Sequence, residues 1–593
     1  MNRWKFLGKY IRRYLWRYLL GLAVLFGVDF ANLYVPQYTG VIIDGLAAGS
    51  LSSSGVVAIC LRILLLAVLL AVGRFGWRWF IFGSARGVER DMRDDMYAHL
   101  QTLSAQFYNE NKTGDLMAYF TNDLSAVRMM VGPTLLMVFD SITMTVLILF
   151  KMIFYVDARL TMYTFIPMAV IAVGCYFYGK EEEKRYDRKQ KAFASLSDKV
   201  QESISGIRVI KAFNQERAEF ASFTAYNREC LDRNLKVEKL RAFFWPLLEA
   251  VIAVACLITL IVGGRMTMLG QISLGKFVAF NSYVMMLVWP MIAVGDSINT
   301  ATQGMASLER IGLLMYVKPT VVDGRQVIEQ AHLTGDIVCR GLSFRYPNSG
   351  LDALSGLDLH VAPGETLAVI GKTGSGKSTL VNLLLRVYDA PAGTIALDGH
   401  DIKDYSLKAL RDNIAYVPQD NFLFSDTLAN NIAFGLDDGP DADRRRVMVE
   451  KAAAEACLDT SIKEFPAQYE TVVGERGATL SGGQKQRSAM ARALLKDAPI
   501  LILDDSLSAV DTDTEQQILA NLAAIRRGKT TIIIAHRIST IQDADHVLVL
   551  DQGRPAEYGT HKQLMRRKGW YYRTFQKQQL AAQLDGYGQE VGS

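Results

Sequence analysis

The sequence predicts a two-part chain: an α-helical membrane half of six crossing helices with long cytosolic extensions, followed by a soluble α/β half. Three observations lead there. Half of the 593 residues are hydrophobic, and the mean hydropathy is slightly positive, which is high for a soluble chain and low for one buried wholly in lipid. The long apolar runs all end by residue 298. From about Asp336 short strands alternate with helices around a glycine-rich turn. The length also exceeds what one domain holds. The expected boundaries are 1–318 for the membrane domain, 319–335 for a linker, 336–576 for the α/β domain and 577–593 for a polar, mobile tail.

The opening run RWKFLGKYIRRYLWRYLL places Trp4, Leu7, Ile11, Leu15 and Tyr18 at helical spacing, with Lys5, Lys9, Arg12, Arg13 and Arg17 filling the rest. A basic amphipathic stretch of this kind predicts a helix lying on the membrane surface. Basic flanks also predict a cytosolic N-terminus. No small-residue cleavage site follows, so no removable signal peptide is expected.

Six apolar runs come next, at 18–43, 55–83, 135–155, 160–179, 243–264 and 277–298. Each reaches the roughly 20 residues that cross about 30 Å of hydrocarbon. The connection at 44–54 has no Lys or Arg and that at 156–159 is very short, whereas 84–134 and 180–242 are long and charged. The positive-inside rule puts the two long connections in the cytosol. Segment 180–220 is almost free of Gly and Pro and predicts a helix reaching roughly 60 Å. Turns near Phe107–Thr113 and Ala212–Glu216 are expected to end these extensions and push on a soluble motor. Ionisable residues Asp29, Arg74, Arg78, Asp140, Lys151, Glu249 and Asp296 fall within the runs. Their cost in lipid predicts that they face the bundle interior or snorkel to an end.

The net charge of +5 is read as topology. No basic patch interleaved with aromatics stands out, so nucleic acid is not an expected partner. Cys60, Cys175, Cys230, Cys256, Cys339 and Cys457 show neither metal-ligand spacing nor a disulfide framework.

Chemistry concentrates in the second half. The strand Thr366–Ile370 feeds Gly371-Lys372-Thr373-Gly374-Ser375-Gly376-Lys377-Ser378-Thr379, which fits the P-loop pattern G-x-x-x-x-G-K-S/T. Its glycines let backbone N–H groups wrap phosphates, and the helix start adds positive potential. Lys377 would reach the β- and γ-phosphates of ATP, and Ser378 would ligate Mg²⁺. A second apolar strand, Ile500–Leu503, ends in Asp504 and Asp505. Asp504 stands where a Walker B aspartate would hold Mg²⁺ through water.

Between these lies Leu480-Ser481-Gly482-Gly483-Gln484, and here the chain resembles the ATP-binding cassette (ABC) family. The resemblance implies that Ser481, Gly482, Gly483 and Gln484 cap a nucleotide held by the P-loop of a partner, so that ATP is sandwiched at a dimer interface. By the same resemblance Tyr346, in FRYP, would stack on adenine. Gln419, in YVPQD, would touch Mg²⁺ or the attacking water. Thr471–Gly477 matches the exporter X-loop, Ser508–Asp511 a D-loop ending in Asp511, and His536 the switch histidine that contacts γ-phosphate. Six spans ahead of one cassette is the half-transporter layout of ABC exporters. FYNENKTGDLMAYFTNDLSAVR and ESISGIRVIKAFNQE are similar to that family's intracellular loops.

One position departs from the family. Its usual catalytic residue is glutamate, and here position 505 is aspartate, in LDDSLSAVD. The departure implies slow turnover at this chain's own site and a partner half-transporter with glutamate at the matching place. The alternatives are a homodimeric exporter or lipid flippase, or a dedicated peptide or siderophore-linked transporter. The six spans argue against a soluble ATP-switched factor, and the fusion argues against an importer subunit. The expected substrate is an amphipathic or hydrophobic small molecule or lipid, by family analogy alone.

Overall fold

The computed structural model describes residues 3–590 except 331, 437–440, 475, 476 and 478. The chain divides into two compact units: Met1–Thr102 with Asn111–Val317, and Leu103–Glu110 with Lys318–Ser593.

The first unit is helical. Among the described residues, five helices are long and apolar enough to cross a membrane: Trp4–Ala47, Ser53–Thr102, Thr113–Val156, Glu216–Met268 and Leu274–Tyr316. The fourth expected run, 160–179, lies at the start of helix Ala158–Ser205, where side chains 168, 171, 172, 175 and 176 are outside the described set.

No separate surface helix precedes the first span. Arg3–Asn32 is one continuous helix, with no proline to interrupt it. Its buried stripe is Leu7, Tyr10, Tyr14 and Tyr18, while Trp4 and Leu15 are exposed. The cause is helix Ser53–Thr102. Asp95 accepts hydrogen bonds from Lys9 (2.7 Å) and Tyr10 (2.9 Å), and Asp91 accepts from Arg13 (2.9 Å) and Tyr14 (3.1 Å). Tyrosine can satisfy those carboxylates from inside the interface, which leucine cannot. The helix breaks at Leu33, where Pro36 lacks the N–H that would close on the carbonyl four residues back. Tyr283 donates to the Leu33 carbonyl at 2.8 Å.

Helices Tyr34–Ala47 and Leu274–Tyr316 meet backbone to backbone, and a Cβ on Gly275 would lie 2.0 Å from the Gly40 carbonyl oxygen. Asp44 closes the junction, accepting from the Ser273 hydroxyl and the Gly275 N–H, each at 2.6 Å. Of the ionisable residues in the apolar runs, Asp29 is buried. Lys151 donates to Gln37 at 2.9 Å and sits 4.4 Å from the Tyr34 ring centre. Glu249 and Asp296 are exposed on the single chain.

The charged connection forms two long helices, Ala158–Ser205 and Glu216–Ile258. They are pinned side by side by Glu182–Arg241 (2.7 Å) and Lys199–Glu219 (2.6 Å). The turn between them falls at residues 213–215, just past helix Ile207–Ala212, as the sequence suggests. The other expected turn is a short helix, Ala105–Glu110, and it belongs to the soluble unit. There Asn109 donates to the Tyr388 hydroxyl (2.8 Å), Asn348 donates to Glu110 (2.7 Å), and Ser104 meets Thr320 (2.5 Å).

Among the described residues the soluble unit carries ten strands: β1 Ile337–Phe344, β2 Leu354–Val361, β3 Thr366–Gly371, β4 Ile395–Leu397, β5 His400–Asp401, β6 Ile414–Val417, β7 Ile500–Asp504, β8 Thr530–Ile534, β9 His546–Asp551 and β10 Arg554–Gly559. They make an antiparallel sheet, β2-β1-β4-β5, and a larger sheet, β10-β9-β3-β8-β7-β6. The larger sheet is parallel except for β10 at its edge. Alternate side chains feed opposite cores. Ala368, Ile370, Leu501, Leu503, Ile533, Val547 and Val549 pack on one face, and Leu367, Val369, Ile500, Ile502, Ile532, Leu548 and Leu550 pack on the other. A parallel sheet covered on both faces reads as continuous hydrophobic runs, which is why PILILDD and TIIIAHR carry no polar alternation. The segment from Lys577, expected to be a loose tail, continues helix Trp570–Glu590.

Candidate nucleotide site

β3, β7 and β8 are neighbours in the larger sheet, so the loops leaving their C-terminal ends are brought to one edge. That edge is where open parallel sheets bind ligands.

β3 runs into the glycine-rich loop and then helix Lys377–Leu384. Gly376 has φ +100°, and a Cβ there would sit 2.5 Å from the Ala353 carbonyl oxygen, so only glycine fits. The loop's lysine is folded inward. Lys377 is 7% exposed and donates to the carbonyls of Gly371 (2.9 Å) and Lys372 (3.0 Å). Burial pushes its ammonium below the usual lysine range, and the carboxylates of Asp504 and Asp505 oppose that shift. The buried Ser375 hydroxyl has no hydrogen-bond partner among the described residues. A loop with an inward lysine and an unmatched hydroxyl is built to take an anion.

β7 ends at Asp504, which is 4% exposed. Burial raises its carboxyl above the usual range. A hydrogen bond with Ser378 works the other way, Asp505 raises it further, and Lys377 and His536 lower it. Ser378 and Asp504 are therefore side by side, a hard-oxygen pair of the kind that suits Mg²⁺ bound together with phosphates. Asp505 follows at φ +48°, a conformation aspartate tolerates better than most residues. Its N–H donates to the Ile534 carbonyl (2.9 Å), and its own carbonyl accepts from Ser508 (3.1 Å). Asp505 and His536 line one cavity of about 130 Å³ with Ser508 and Arg537.

Gln419 is exposed two residues past the end of β6, whose Val417 pairs with Leu503 beside Asp504. Tyr346 is half-buried. Its hydroxyl reaches Thr379 at 3.2 Å, and its ring meets Tyr388 edge-on at 5.1 Å.

Ser481 is the N-cap of helix Gly482–Leu495 and shares a capping box with Gln484. The Ser481 hydroxyl accepts from the Gln484 N–H (3.3 Å), and the Gln484 side-chain oxygen accepts from the Ser481 N–H (2.9 Å). The serine and glutamine of the signature thus shape its turn and leave the two glycines presenting backbone. Asp511 likewise caps helix Thr512–Ile525 by accepting from the Thr514 N–H at 2.9 Å. Thr471 and Val473 are tied to residues 426–428, whereas Glu475 and Arg476 of the expected X-loop lie outside the described residues.

Sequence reasoning missed three residues that hold these parts in place. Gln486 accepts from the Ala509 N–H (2.9 Å) and donates to Ser508 (3.2 Å), joining the signature helix to the 508–511 loop. Glu515 accepts from Arg537 (3.2 Å) and from Thr540. Gln578 donates to the His536 carbonyl (2.7 Å) and accepts from the Ile538 N–H (2.9 Å), bracketing the loop after β8. Gln486 lies two residues past the signature and could have been sought. Gln578 sits among other polar residues with no distinguishing pattern.

Comparison with known proteins agrees with this arrangement. Residues 18–291 match the ABC transporter transmembrane region, and residues 354–508 match the ABC transporter family. The probable multidrug resistance ABC transporter ATP-binding/permease protein YheI of Bacillus subtilis is 38% identical over 98% of both chains. The multidrug resistance-like ATP-binding protein MdlA of Escherichia coli is 36% identical over 98% of this chain and 97% of its own. An ATP-dependent lipid A-core flippase of Pseudomonas fluorescens is 37% identical over 87% of this chain and 84% of its own. A bacterial Atm1-family ABC exporter solved with ATP bound superposes with a TM-score of 0.75 at 28% identity, covering 96% of this chain and 98% of that one. With a membrane-spanning helical unit fused to an ATP-binding unit of this construction, the chain belongs to the ABC transporter family, as a multi-pass half-transporter whose ATPase domain is coupled to translocation.

Proposed function

We propose that this chain is one subunit of a heterodimeric ATP-driven exporter of amphipathic or hydrophobic compounds, and that ATP at its own P-loop turns over slowly. The observation that carries the asymmetry is Asp505, a shorter carboxylate where the family places glutamate, beside an intact signature. In this reading six helices cross the membrane. Lys377 and the loop amides hold the β- and γ-phosphates, and Tyr346 stacks on adenine. Ser378, Asp504 and Gln419 would hold Mg²⁺, which would supply neutralisation of phosphate charge. Asp505 polarises water, and His536 contacts the γ-phosphate. Ser481, Gly482, Gly483 and Gln484 serve the nucleotide on the partner's P-loop. The helix Ala105–Glu110, packed within the soluble unit, would carry closure of the cassettes to the membrane helices.

The substrate class follows from relatives named for multidrug resistance and lipid A-core flipping. The flippase name also supports a second reading, a lipid flippase built from two copies. Reconstitution in proteoliposomes separates these. Purified chain with a co-purifying second half-transporter should show ATP-dependent movement of a fluorescent amphipathic dye and substrate-stimulated ATPase. Full activity from this chain alone would overturn the heterodimer.

Gln578 gives a finer expectation. Gln578→Ala should lower kcat roughly tenfold by loosening the switch loop while leaving ATP affinity and Tm nearly unchanged. Gln578→Glu keeps the acceptor for Ile538 but loses the donor, and should fall between. Steady-state kinetics beside equilibrium nucleotide binding read the difference. A change in affinity with kcat intact would count against the positioning role.

A further inference from the structure

Away from the nucleotide site, the first and third helices of the membrane unit carry two short ladders of arginine. Arg13 and Arg17 stand one turn apart on Arg3–Asn32, and Arg86 and Arg90 stand one turn apart on Ser53–Thr102. The helices run antiparallel, as the contacts of Lys9 with Asp95 and Arg13 with Asp91 require. All four arginines line one cavity of about 550 Å³ with Tyr14, Trp16, Gly83 and Gly87.

The charges do not cancel. Asp91 pairs with Arg13 (2.9 Å) and Arg90 (2.8 Å), and Glu89 pairs with Arg86 (3.0 Å). Glu89 also meets Arg93 (2.9 Å) and Arg128 (3.3 Å). Neither carboxylate lines the cavity, and Arg17 has no ion-pair partner among the described residues, its guanidinium lying 5.3 Å from the Trp16 ring centre. Gly83 leaves a notch, because a Cβ there would meet nothing within 4 Å.

The surroundings are those of a lipid–water boundary. Trp16 is 59% exposed at the edge of the apolar run, where indole side chains settle at headgroup depth. One turn further along the cavity-facing sides, Leu20 is 41% and Trp79 is 70% exposed. A guanidinium cluster thus opens onto an exposed apolar strip. Guanidinium forks match phosphate oxygens bidentately, and the strip suits an acyl chain.

We infer that this cavity is a binding site for the phosphate headgroup of an anionic phospholipid in the cytosolic leaflet, its acyl chains lying along Leu20 and Trp79. The site is built from residues of the membrane unit alone, none of which belongs to the nucleotide site. Each basic residue near an anionic surface is worth about a fivefold change in binding.

The test uses the full chain in zwitterionic nanodiscs doped with phosphatidylglycerol, with retained lipid counted by native mass spectrometry. Arg17→Gln with Arg86→Gln should lower retention on the order of tenfold or more. Gly83→Leu, which fills the notch without changing charge, should lower it too. A control with the same charge loss on the exposed Lys191 and Lys236 should retain lipid like the parent. Millimolar inorganic phosphate should not displace the lipid. Unchanged retention in the arginine variant, equal loss in the control, or displacement by free phosphate would each overturn the site. If the arginine variant fails to fold, the Gly83→Leu result decides alone.

Discussion

Replacing Asp505 by glutamate is expected to raise ATP turnover at this chain's own site on the order of 100-fold, because misplacement of a catalytic group by about 1 Å costs that much. The backbone cannot make up the missing reach. It is fixed by the bond from the Asp505 N–H to Ile534 and by Ser508 on its carbonyl. One methylene advances the carboxylate by roughly 1.5 Å into the cavity shared with His536, which has room for it. An opposing term is the conformation: φ is +48° at this residue, and a side chain bulkier than aspartate pays about 1–2 kcal/mol there. A 100-fold rate gain corresponds to about 2.7 kcal/mol in the barrier, so the gain wins in rate while stability falls slightly. Single-turnover hydrolysis, with the partner's site silenced, reads the effect. A rate that stays level or drops would mean that aspartate already serves as a competent base.

Much of the membrane unit could be read in advance because lipid imposes a simple rule on composition. The apolar runs and the charged connections are visible as such. What composition does not encode is who meets whom across an interface. Tyr10 and Tyr14 turn inward where Asp95 and Asp91 wait on another helix, 77 or more residues away in sequence. Likewise a break near Phe107 is legible in the sequence, while its form as helix Ala105–Glu110 and its place in the soluble unit depend on Tyr388 and Asn348, which no local pattern links to it.

In the candidate nucleotide site the loops at the strand ends were legible because each needs special backbone, and special backbone needs glycine or a strand end. Gly376 at φ +100° and Asp504 closing β7 are of that kind. The supports were not legible. Gln486 and Gln578 act through side-chain hydrogen bonds to loops 22 and 42 positions away, and glutamine is an ordinary residue on any helix. The run from Lys577 is polar, and nothing in it signals that helix Trp570–Glu590 continues through it with Gln578 anchored on the loop after β8.

The second large effect concerns the signature. Gly482→Glu in this chain alone should bring the steady-state ATPase of the assembly down at least about 100-fold, the scale of losing a group that stabilises phosphate charge. The fold has room for it: a Cβ on Gly482 would make only ordinary contact, 3.6 Å from that of Ala509. What changes is the sign of charge presented by a turn whose Ser481–Gln484 capping box stays in place. Lys377→Ala, also in this chain alone, removes the cation from this chain's own site and, on the proposed asymmetry, should leave at least about a tenth of the activity. The decisive measurement is the ratio of these two rates in one reconstituted assembly. A Lys377 variant that remains active beside a Gly482 variant at background places this chain's serine–glycine–glycine turn on a neighbour's nucleotide. Equal loss in both, or the reverse order, would contradict it.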